Sequence, residues 1–258
     1  MLAGVLGWPV GHSRSPAMQN AAFEALGLDW RYLPLPVPPE LFEATVRALP
    51  GSGYAGANVT VPHKLAACAL CDRLSDAARA IGAVNTLSFR VGVRALDAPG
   101  LLDAIGEPVA GRHALVLGAG GAGRAAAWAL KDAGAEVRVW NRTAERAAAL
   151  AEDLGITHSE RPQASELLVN STSVGLGGGA SEEEVLGALG LEDSEPPPLL
   201  VDLAYGGVPT ALVRWAERAG SRAIDGIEVL VHQGARSLAL WTGAEPPLEV
   251  MKKAARHG

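Results

Sequence analysis

The sequence is poor in cysteine and in aromatic residues. Only two of its 258 residues are cysteines, and Phe, Trp and Tyr together make up 5% of the chain. The spacing of Cys68 and Cys71 is that of a redox pair or of half a zinc site, but no second pair follows, and no βαβ strand precedes them. We therefore interpret both as small residues on one face of an Ala-rich helix, and we predict no metal site.

Long runs of one charge sign and long apolar runs are also missing. No cluster of Lys and Arg occurs and the formal net charge is −6, which argues against a nucleic-acid partner or an anionic membrane surface. No apolar run reaches the length of a membrane span, and the N-terminus lacks the basic start of a secretory signal. We expect a soluble, cytoplasmic protein. The sequence leaves its oligomeric state open, with a homodimer among the states that it allows.

What the chain does have is an alternation of strand-like and helix-like segments, which predicts an α/β fold in which helices cover a sheet. Its length suggests two domains. Strands or extended segments are predicted at 2–7, 30–37, 54–61, 82–89, 90–96, 113–118, 136–141, 165–172 and 198–205. Helices are predicted at 17–27, 39–49, 64–79, 118–134, 143–155, 211–220 and 225–243. The acidic, Gly- and Pro-rich segment 175–198 is predicted to be an exposed loop that is mobile at its ends.

A glycine pattern follows the predicted strand at 113–118. Gly118, Gly120 and Gly123 form G-x-G-x-x-G at the entrance to a predicted helix, with Gly121 and Ala122 between them. Such glycines let the chain turn tightly and let its amides approach a pyrophosphate at the helix N-terminus. A turn selected only for packing is the alternative, but the strand–turn–helix context favours a dinucleotide.

The end of the next predicted strand indicates which dinucleotide is bound. An NAD site usually has Asp or Glu there, whereas this strand ends in Asn141, Arg142 and Thr143. Arginine offers a planar set of donors to a phosphate, and Thr143 adds a hydroxyl. Arg142 could equally be an exposed charge and Thr143 a helix cap. We predict NADP.

Short polar side chains gather at predicted strand ends and loop–helix junctions in the rest of the chain. They are Ser13, Ser15, Asn58, Thr60, Asn85, Thr86 and Gln233. Each has an ordinary structural explanation, since serines cap helices and asparagines occupy turns. Pockets form at such positions in α/β sheets, however, and a lining of hydroxyls and amides suits a small polyhydroxylated molecule.

Six segments, in this order and spacing, resemble the signature blocks of the shikimate dehydrogenase family. They are GWPVGHSRSPAMQN, NVTVPHK, GAVNT, VLGAGGAGRA, NRT and DGIEVLVHQGA, and the resemblance runs from about Gly7 to Gly243. It implies a three-layer α/β substrate-binding catalytic domain at 1–100, completed by 232–258, and a Rossmann-type NADP-binding domain at 101–231. The implied reaction is NADP-dependent interconversion of 3-dehydroshikimate and shikimate, on the route to chorismate and the aromatic amino acids.

The same resemblance implies roles for individual residues. Ser13 and Ser15 would hold the substrate carboxylate, and Tyr205 would lie near substrate and cofactor. The residues matched to the ring hydroxyls are Asn58, Thr60, Asn85 and Gln233. Lys64 and Asp97 match the catalytic pair, in which the lysine would stabilise charge on the reacting oxygen. A free lysine titrates near pH 10.4, about three units too high for a base at neutral pH, so which member carries the proton stays open.

The sequence departs from the family pattern at several positions. Ala95 and Leu96 stand where the family has Asn and Thr before the aspartate. Gln19, Val229 and Gly207 replace a frequent His, Met and Pro. These changes leave two alternatives open: a quinate or aminoshikimate dehydrogenase, and a non-catalytic NADP-binding regulatory protein.

Overall fold

A computed structural model describes residues 1–90, 94–96 and 100–258, and for residues 94–96 it describes only the backbone. The chain divides into two compact units, one formed by Met1–Gly100 with Leu230–Gly258 and the other by Leu101–Val229. Among the helices within these described ranges, none combines the length and apolarity of a membrane span.

Strands and helices alternate along most of the chain. The strands are β1 (Leu2–Gly7), β2 (Arg31–Pro36), β3 (Tyr54–Val59), β4 (Arg73–Leu74), β5 (Thr86–Ser88), β6 (Arg94–Leu96), β7 (His113–Leu117), β8 (Glu136–Trp140), β9 (Thr157–His158), β10 (Leu167–Asn170), β11 (Leu199–Asp202) and β12 (Arg222–Ile224). The helices are α1 (Ser15–Ala25), α2 (Phe42–Ala48), α3 (Lys64–Ala69), α4 (Asp76–Ile81), α5 (Gly100–Ile105), α6 (Gly121–Asp132), α7 (Ala144–Leu154), α8 (Glu182–Leu189), α9 (Ala211–Arg218), α10 (Gly226–Thr242) and α11 (Leu248–His257).

The first unit contains a mixed sheet in the order β2-β1-β3-β5-β6-β4. Strand β1 is parallel to both β2 and β3, whereas β5 is antiparallel to β3 and β6. Helix α1 packs against α11, and Trp241 of α10 donates to the carbonyl of Leu87 in β5 over 3.0 Å. Gly56 permits this contact, because a Cβ there would lie 2.1 Å from the indole nitrogen.

The second unit contains a parallel sheet in the order β12-β11-β10-β7-β8-β9. Its central strands β10 and β11 are buried at every position, as expected for a parallel sheet with helices on both faces. The strand order reverses at β7, because β8 and β9 follow on one side of it and β10, β11 and β12 on the other. Ligands in such sheets bind at this reversal, beyond the carboxyl ends of the strands.

The predicted helix at 64–79 is wrong. The chain instead forms α3, the short strand β4 and α4, which begins where the Ser75 hydroxyl accepts from the amide of Ala78 at 3.0 Å. The apolar spacing of residues 64–81 fits one helix, but α3 ends at Ala69 and β4 pairs with β6. Cys71 therefore lies outside the helix that contains Cys68.

The prediction of a loop at 175–198 is also wrong, because α8 lies inside this segment. Ser181 and Glu184 form a capping box, with the Ser181 hydroxyl accepting from the Glu184 amide at 3.2 Å and the carboxylate accepting from the Ser181 amide at 2.8 Å. Val185 and Leu189 are buried against the second unit's core. Three acidic residues of this segment lie in the first turn of α8, where negative charge is favourable.

Candidate active site

In the second unit, the glycine turn between β7 and α6 has the shape that a dinucleotide requires. Gly118 has a φ of +107°, and a Cβ at Gly123 would lie 2.0 Å from the carbonyl oxygen of Gly118. At Gly120, the N-cap of α6, a Cβ would meet none of the described atoms within 4 Å. Gly118 and Gly123 are thus required by backbone conformation and packing, while Gly120 borders open space at the helix N-terminus. Gly121 and Ala122 lie in the first turn of the helix. These residues fit a pyrophosphate.

Asn141 connects this turn to the end of β8. Its Oδ1 accepts from the Ala119 amide at 3.2 Å, and its Nδ2 donates to the carbonyl of Thr143 at 2.9 Å. Thr143 occupies the N-cap position of α7, but its side chain makes no capping hydrogen bond within the described residues. The hydroxyl therefore has no capping contact to give up in order to bind a ligand.

Two exposed arginines lie beside Thr143. Arg142 precedes the cap, and Arg146, which the sequence analysis did not single out, lies in the first turn of α7. Cations are unfavourable near a helix N-terminus, so an anionic group between them would relieve this repulsion. In the sequence, the position of Arg146 four residues after Arg142, in the first turn of a predicted helix, was the signal that could have identified it.

In the first unit, Ser13 and Ser15 lie where the loop after β1 enters α1. The amide of Ser15 donates to the Ser13 hydroxyl at 3.3 Å, and Ser15 itself is buried as the first residue of the helix. Burial strongly raises the pKa of Tyr32, and the Ser15 side chain lowers it to a smaller extent. The two serines are therefore adjacent, as a shared contact to one carboxylate would require.

Asn58 is the centre of a half-buried hydrogen-bond network. Its Oδ1 accepts from the Tyr32 hydroxyl at 2.7 Å, and its Nδ2 lies 2.8 Å from the Ser237 hydroxyl and 3.1 Å from that of Thr86. Ser237 in turn donates to the carbonyl of Gln233 at 3.1 Å. The network joins β2, β3, β5 and α10, so the protein itself determines the orientation of the Asn58 amide.

The remaining predicted residues of the first unit lie close to this network. The Asn85 side chain accepts from the Thr86 hydroxyl at 2.8 Å, and the Asn85 carbonyl accepts from the Val59 amide at 2.8 Å. Thr60 follows β3 directly, and Lys64 begins α3, with its carbonyl accepting from the Val84 amide at 3.0 Å. The end of β3 and the start of β5 therefore bring these residues into one region.

The three remaining predicted residues, Gln233, Tyr205 and Asp97, lie in different parts of the chain. Gln233 packs against Gly100, where a Cβ would lie 2.5 Å from the Gln233 backbone nitrogen. Tyr205 is half-buried in the second unit and accepts at its carbonyl from the Gly177 amide at 3.0 Å. Asp97 lies outside the described residues.

The two cysteines have weakly acidic thiols. Burial raises the pKa of Cys68, and burial together with the neighbouring Cys68 and Asp72 raises the pKa of Cys71 to about 12. The Cys71 thiol donates to the Ala67 carbonyl at 3.1 Å. Since the thiolate is the form that reacts and binds metals, this environment does not favour either chemistry. Among the described residues, no group of three potential metal ligands occurs.

Three family models together match most of the chain. They are the shikimate dehydrogenase substrate binding domain over residues 5–87, the shikimate / quinate 5-dehydrogenase over 101–212, and the shikimate 5'-dehydrogenase C-terminal domain over 226–256.

Individual relatives extend over nearly the full chain. The shikimate dehydrogenase (NADP(+)) of Acidiphilium cryptum is 44% identical, covering 96% of this chain and 92% of its own. That of Methanothermobacter thermautotrophicus is 42% identical, covering 99% and 96%. A crystal structure of shikimate 5-dehydrogenase from Thermus thermophilus, in complex with NADP(H) and shikimate, superposes with a TM-score of 0.87 at 40% identity and covers 99% of this chain and 98% of that one.

Proposed function

This chain belongs to the shikimate dehydrogenase family, and on that premise we propose that it catalyses the NADP-dependent interconversion of 3-dehydroshikimate and shikimate. The observation that carries the proposal is the glycine turn, which is packed at Gly118 and Gly123 and open at Gly120, followed by arginine rather than a carboxylate after β8. This combination suits a dinucleotide that bears an additional phosphate.

The cofactor contacts divide between the turn and the start of α7. Gly118, Gly120, Gly121, Ala122 and Gly123 would surround the pyrophosphate, for which the N-terminus of α6 supplies partial positive charge. The residues proposed for the adenosine ribose and its 2′-phosphate are Asn141, Arg142, Thr143 and Arg146. NADP supplies the hydride acceptor when bound.

The substrate contacts come from the polar residues of the first unit. Ser13 and Ser15 would donate to the carboxylate, and the ring hydroxyls would be bound by Asn58, Thr60, Asn85 and Gln233. Tyr205 is proposed to act near both substrate and cofactor. Because the Asn58 network determines the orientation of its amide, the site would distinguish a hydroxyl from a hydrogen at that ring position.

Lys64 and Asp97 are proposed as the catalytic pair. Oxidation of the substrate's secondary alcohol removes a hydride to the nicotinamide and a proton from oxygen, and reduction of the ketone reverses both transfers. The Lys64 ammonium would donate to this oxygen and stabilise the negative charge that develops on it. The pair is assigned jointly, because two interacting groups titrate together.

Steady-state oxidation of shikimate with NADP tests the proposal. We expect turnover between about pH 7 and about pH 10, where loss of the hydroxyl proton is favoured. Folded protein that binds NADP but turns over no substrate in this range would indicate instead a non-catalytic regulatory protein.

Quinate is a second candidate substrate, since the matched model over residues 101–212 describes shikimate / quinate 5-dehydrogenases. Ala95 and Leu96 replace polar residues of the family pattern and could favour a different ring substituent. Comparing kcat/KM for shikimate, quinate and aminoshikimate separates these activities.

We propose further that the first unit binds the substrate and the second binds NADP, and that the protein works in the cytoplasm. A homodimer is proposed as its assembly. Size-exclusion chromatography with light scattering gives the mass in solution, and a mass of 26.5 kDa, that of a single chain, would reject the dimer.

A further inference from the structure

Two polar residues, Asn170 and Asp202, end neighbouring strands of the second unit. They are register partners of the β10–β11 pair, and both are 0% exposed. The Asn170 Nδ2 donates to the Asp202 Oδ1 at 2.8 Å. Neither residue belongs to the proposed cofactor or substrate contacts, so the cost of burying a carboxylate and an amide here calls for another explanation.

Asp202 connects the two ends of the loop that carries Tyr205. Its Oδ1 accepts from the amide of Ala204 at 3.0 Å, and its Oδ2 accepts from the Thr210 hydroxyl at 2.6 Å. Thr210 is also the N-cap of α9, where its oxygen accepts from the Val213 amide at 3.2 Å. One carboxylate thus fixes the loop on both sides of the tyrosine.

Asn170 fixes the neighbouring loop in the same way. Its Oδ1 accepts from the hydroxyl of Thr172 at 2.7 Å and from the Thr172 amide at 3.1 Å, while its Nδ2 lies 3.3 Å from the Val174 carbonyl. This second loop continues to Gly177, whose amide donates to the Tyr205 carbonyl. The buried pair therefore constrains the backbone of Tyr205 from two directions.

Close packing confirms that the two loops are matched to each other. Gly177 and Gly206 form an isolated parallel bridge, and a Cβ at Gly206 would lie 2.5 Å from the carbonyl carbon of Gly177. Such an approach leaves little freedom for the residue before Gly206, which is Tyr205. A displacement of either loop would move the tyrosine backbone.

We propose that Asp202 is a positioning residue that acts through Tyr205, using the Asn170 and Thr210 contacts to set where the tyrosine is presented. The inference rests on the proposed role of Tyr205 near substrate and cofactor. Burial raises the pKa of the Asp202 carboxyl to about 6, so it is ionised above neutral pH, where three donors then surround it. Charge-assisted hydrogen bonds of this kind are directional, which suits a positioning role.

The contact to test is that between Asp202 and Thr210, because the Thr210 hydroxyl donates to Oδ2 of Asp202 and can be removed while the carboxylate and its two donors on Oδ1 stay in place. Thr210→Val removes the hydroxyl and keeps the shape, whereas Thr210→Ser retains the hydroxyl. Ser181→Ala serves as a matched control, since it removes a helix cap of the same 3.2 Å geometry in the same unit without touching Asp202. We expect kcat for shikimate to fall about tenfold in Thr210→Val, and to stay near wild type in the other two variants.

A double-mutant cycle with Tyr205→Phe separates positioning from a general loss of structure. If Thr210 acts through the tyrosine hydroxyl, Thr210→Val should lower kcat less than about twofold in the Tyr205→Phe background. A full tenfold loss in that background, or no loss in the wild-type background, would overturn the inference.

Amide hydrogen exchange of the segment 203–209 gives a readout that does not depend on activity. We expect faster exchange in Thr210→Val than in wild type, and no change in Thr210→Ser or Ser181→Ala. Unchanged exchange in Thr210→Val would show that the loop is held by other contacts and would refute the positioning role. Absence of wild-type turnover, with the exchange result as expected, would instead refute only the proposed function.

Discussion

Lys64 is the first residue of α3 and directly follows the Val61–Pro62–His63 segment, so its backbone position is fixed by both helix and loop. We expect Lys64→Ala to lower kcat for shikimate oxidation about 10²–10⁴-fold, the usual contribution of a group that moves or stabilises a proton. The Kd for NADP should stay nearly unchanged, because no proposed cofactor contact is altered. Steady-state kinetics and nucleotide titration measure the two effects.

Lys253→Ala is the matched control for this variant. Lys253 is exposed on α11 of the same unit, and its removal changes the net charge equally. An unchanged kcat in Lys64→Ala, or an equal loss in both variants, would contradict the catalytic role.

Arg142 is the residue that should decide between NADP and NAD. Arg142→Ala should raise KM for NADP about tenfold or more while leaving KM for NAD almost the same, because only the contact to the 2′-phosphate is lost. Arg161→Ala, which removes an exposed guanidinium from the same unit, should change neither value. Equal increases for both cofactors would show that Arg142 acts structurally.

The sequence indicated the types of residue at the site better than it indicated their partners. The glycine spacing at 118–123 implied a turn open to a ligand. The close packing of Gly123 on Gly118 is the physical reason why this turn needs glycine. The pattern around Asn58 gave no sign that Tyr32 and Ser237 hold its amide, because these partners lie 26 and 179 residues away in sequence. Long-range contacts of this kind follow from tertiary packing.

At the scale of elements, a side-chain hydrogen bond connects β2 to β3, although β1 lies between them in the sheet. Tyr32 of β2 is 1% exposed, and its hydrogen bond to Asn58 fixes the amide's orientation. We expect Tyr32→Phe to raise KM for shikimate several-fold and to leave KM for NADP unchanged, since a lost hydrogen bond is worth about 0.5–1.5 kcal/mol. Kinetics with each substrate varied in turn provide the measurement.

Tyr54→Phe is the corresponding control, because Tyr54 also lies in this sheet, at the start of β3, and its hydroxyl makes no hydrogen bond within the described part of the chain. A similar KM for shikimate in both variants would show that the Tyr32 hydroxyl does not orient Asn58.

Elements whose own sequence carries the pattern of a helix or strand were predictable. Elements that form only by pairing with another strand were not. Helices α6, α7 and α9 were predicted from apolar spacing and glycine ends. The two-residue strands β4 and β9 exist only because β6 and β8 pair with them, which no local pattern reveals. For α8 the signal was present, since Ser181 followed by Glu184 is a capping box, but the surrounding Gly and Pro residues obscured it.

At the scale of the whole molecule, the α/β prediction with a Rossmann-type unit is confirmed by the sheet order of the second unit and by the similarity to solved structures. The mixed order of the first sheet was not predicted, because the sequence shows strands without showing their direction. The parallel β1–β3 pair and the antiparallel β3–β5 pair differ in the connection between the strands, and the strand sequences do not reveal it.

The pH dependence of unfolding offers a whole-molecule test of the buried carboxylate. Burial raises the pKa of Asp202 in the folded protein from an ordinary 3.8 to about 6, with hydrogen bonds from Thr210, Ala204 and Asn170 acting in the opposite direction and Asp225 adding to the rise. The folded state therefore binds the proton more tightly than the unfolded state. Its contribution to stability is fully present below about pH 4 and is lost as the pH rises through 6.

Asp202→Asn removes this titration while keeping the shape of the side chain. The free energy of unfolding of wild type relative to Asp202→Asn should therefore be larger at pH 4 than at pH 7, by on the order of 3 kcal/mol for a shift of about two pKa units. Urea unfolding followed by tryptophan fluorescence gives both curves, and Asp193→Asn, which alters an exposed carboxylate of the same unit, should run parallel to wild type. If the Asp202→Asn curve is also parallel, the carboxyl titrates alike in the folded and unfolded chains, and burial is not what raises its pKa.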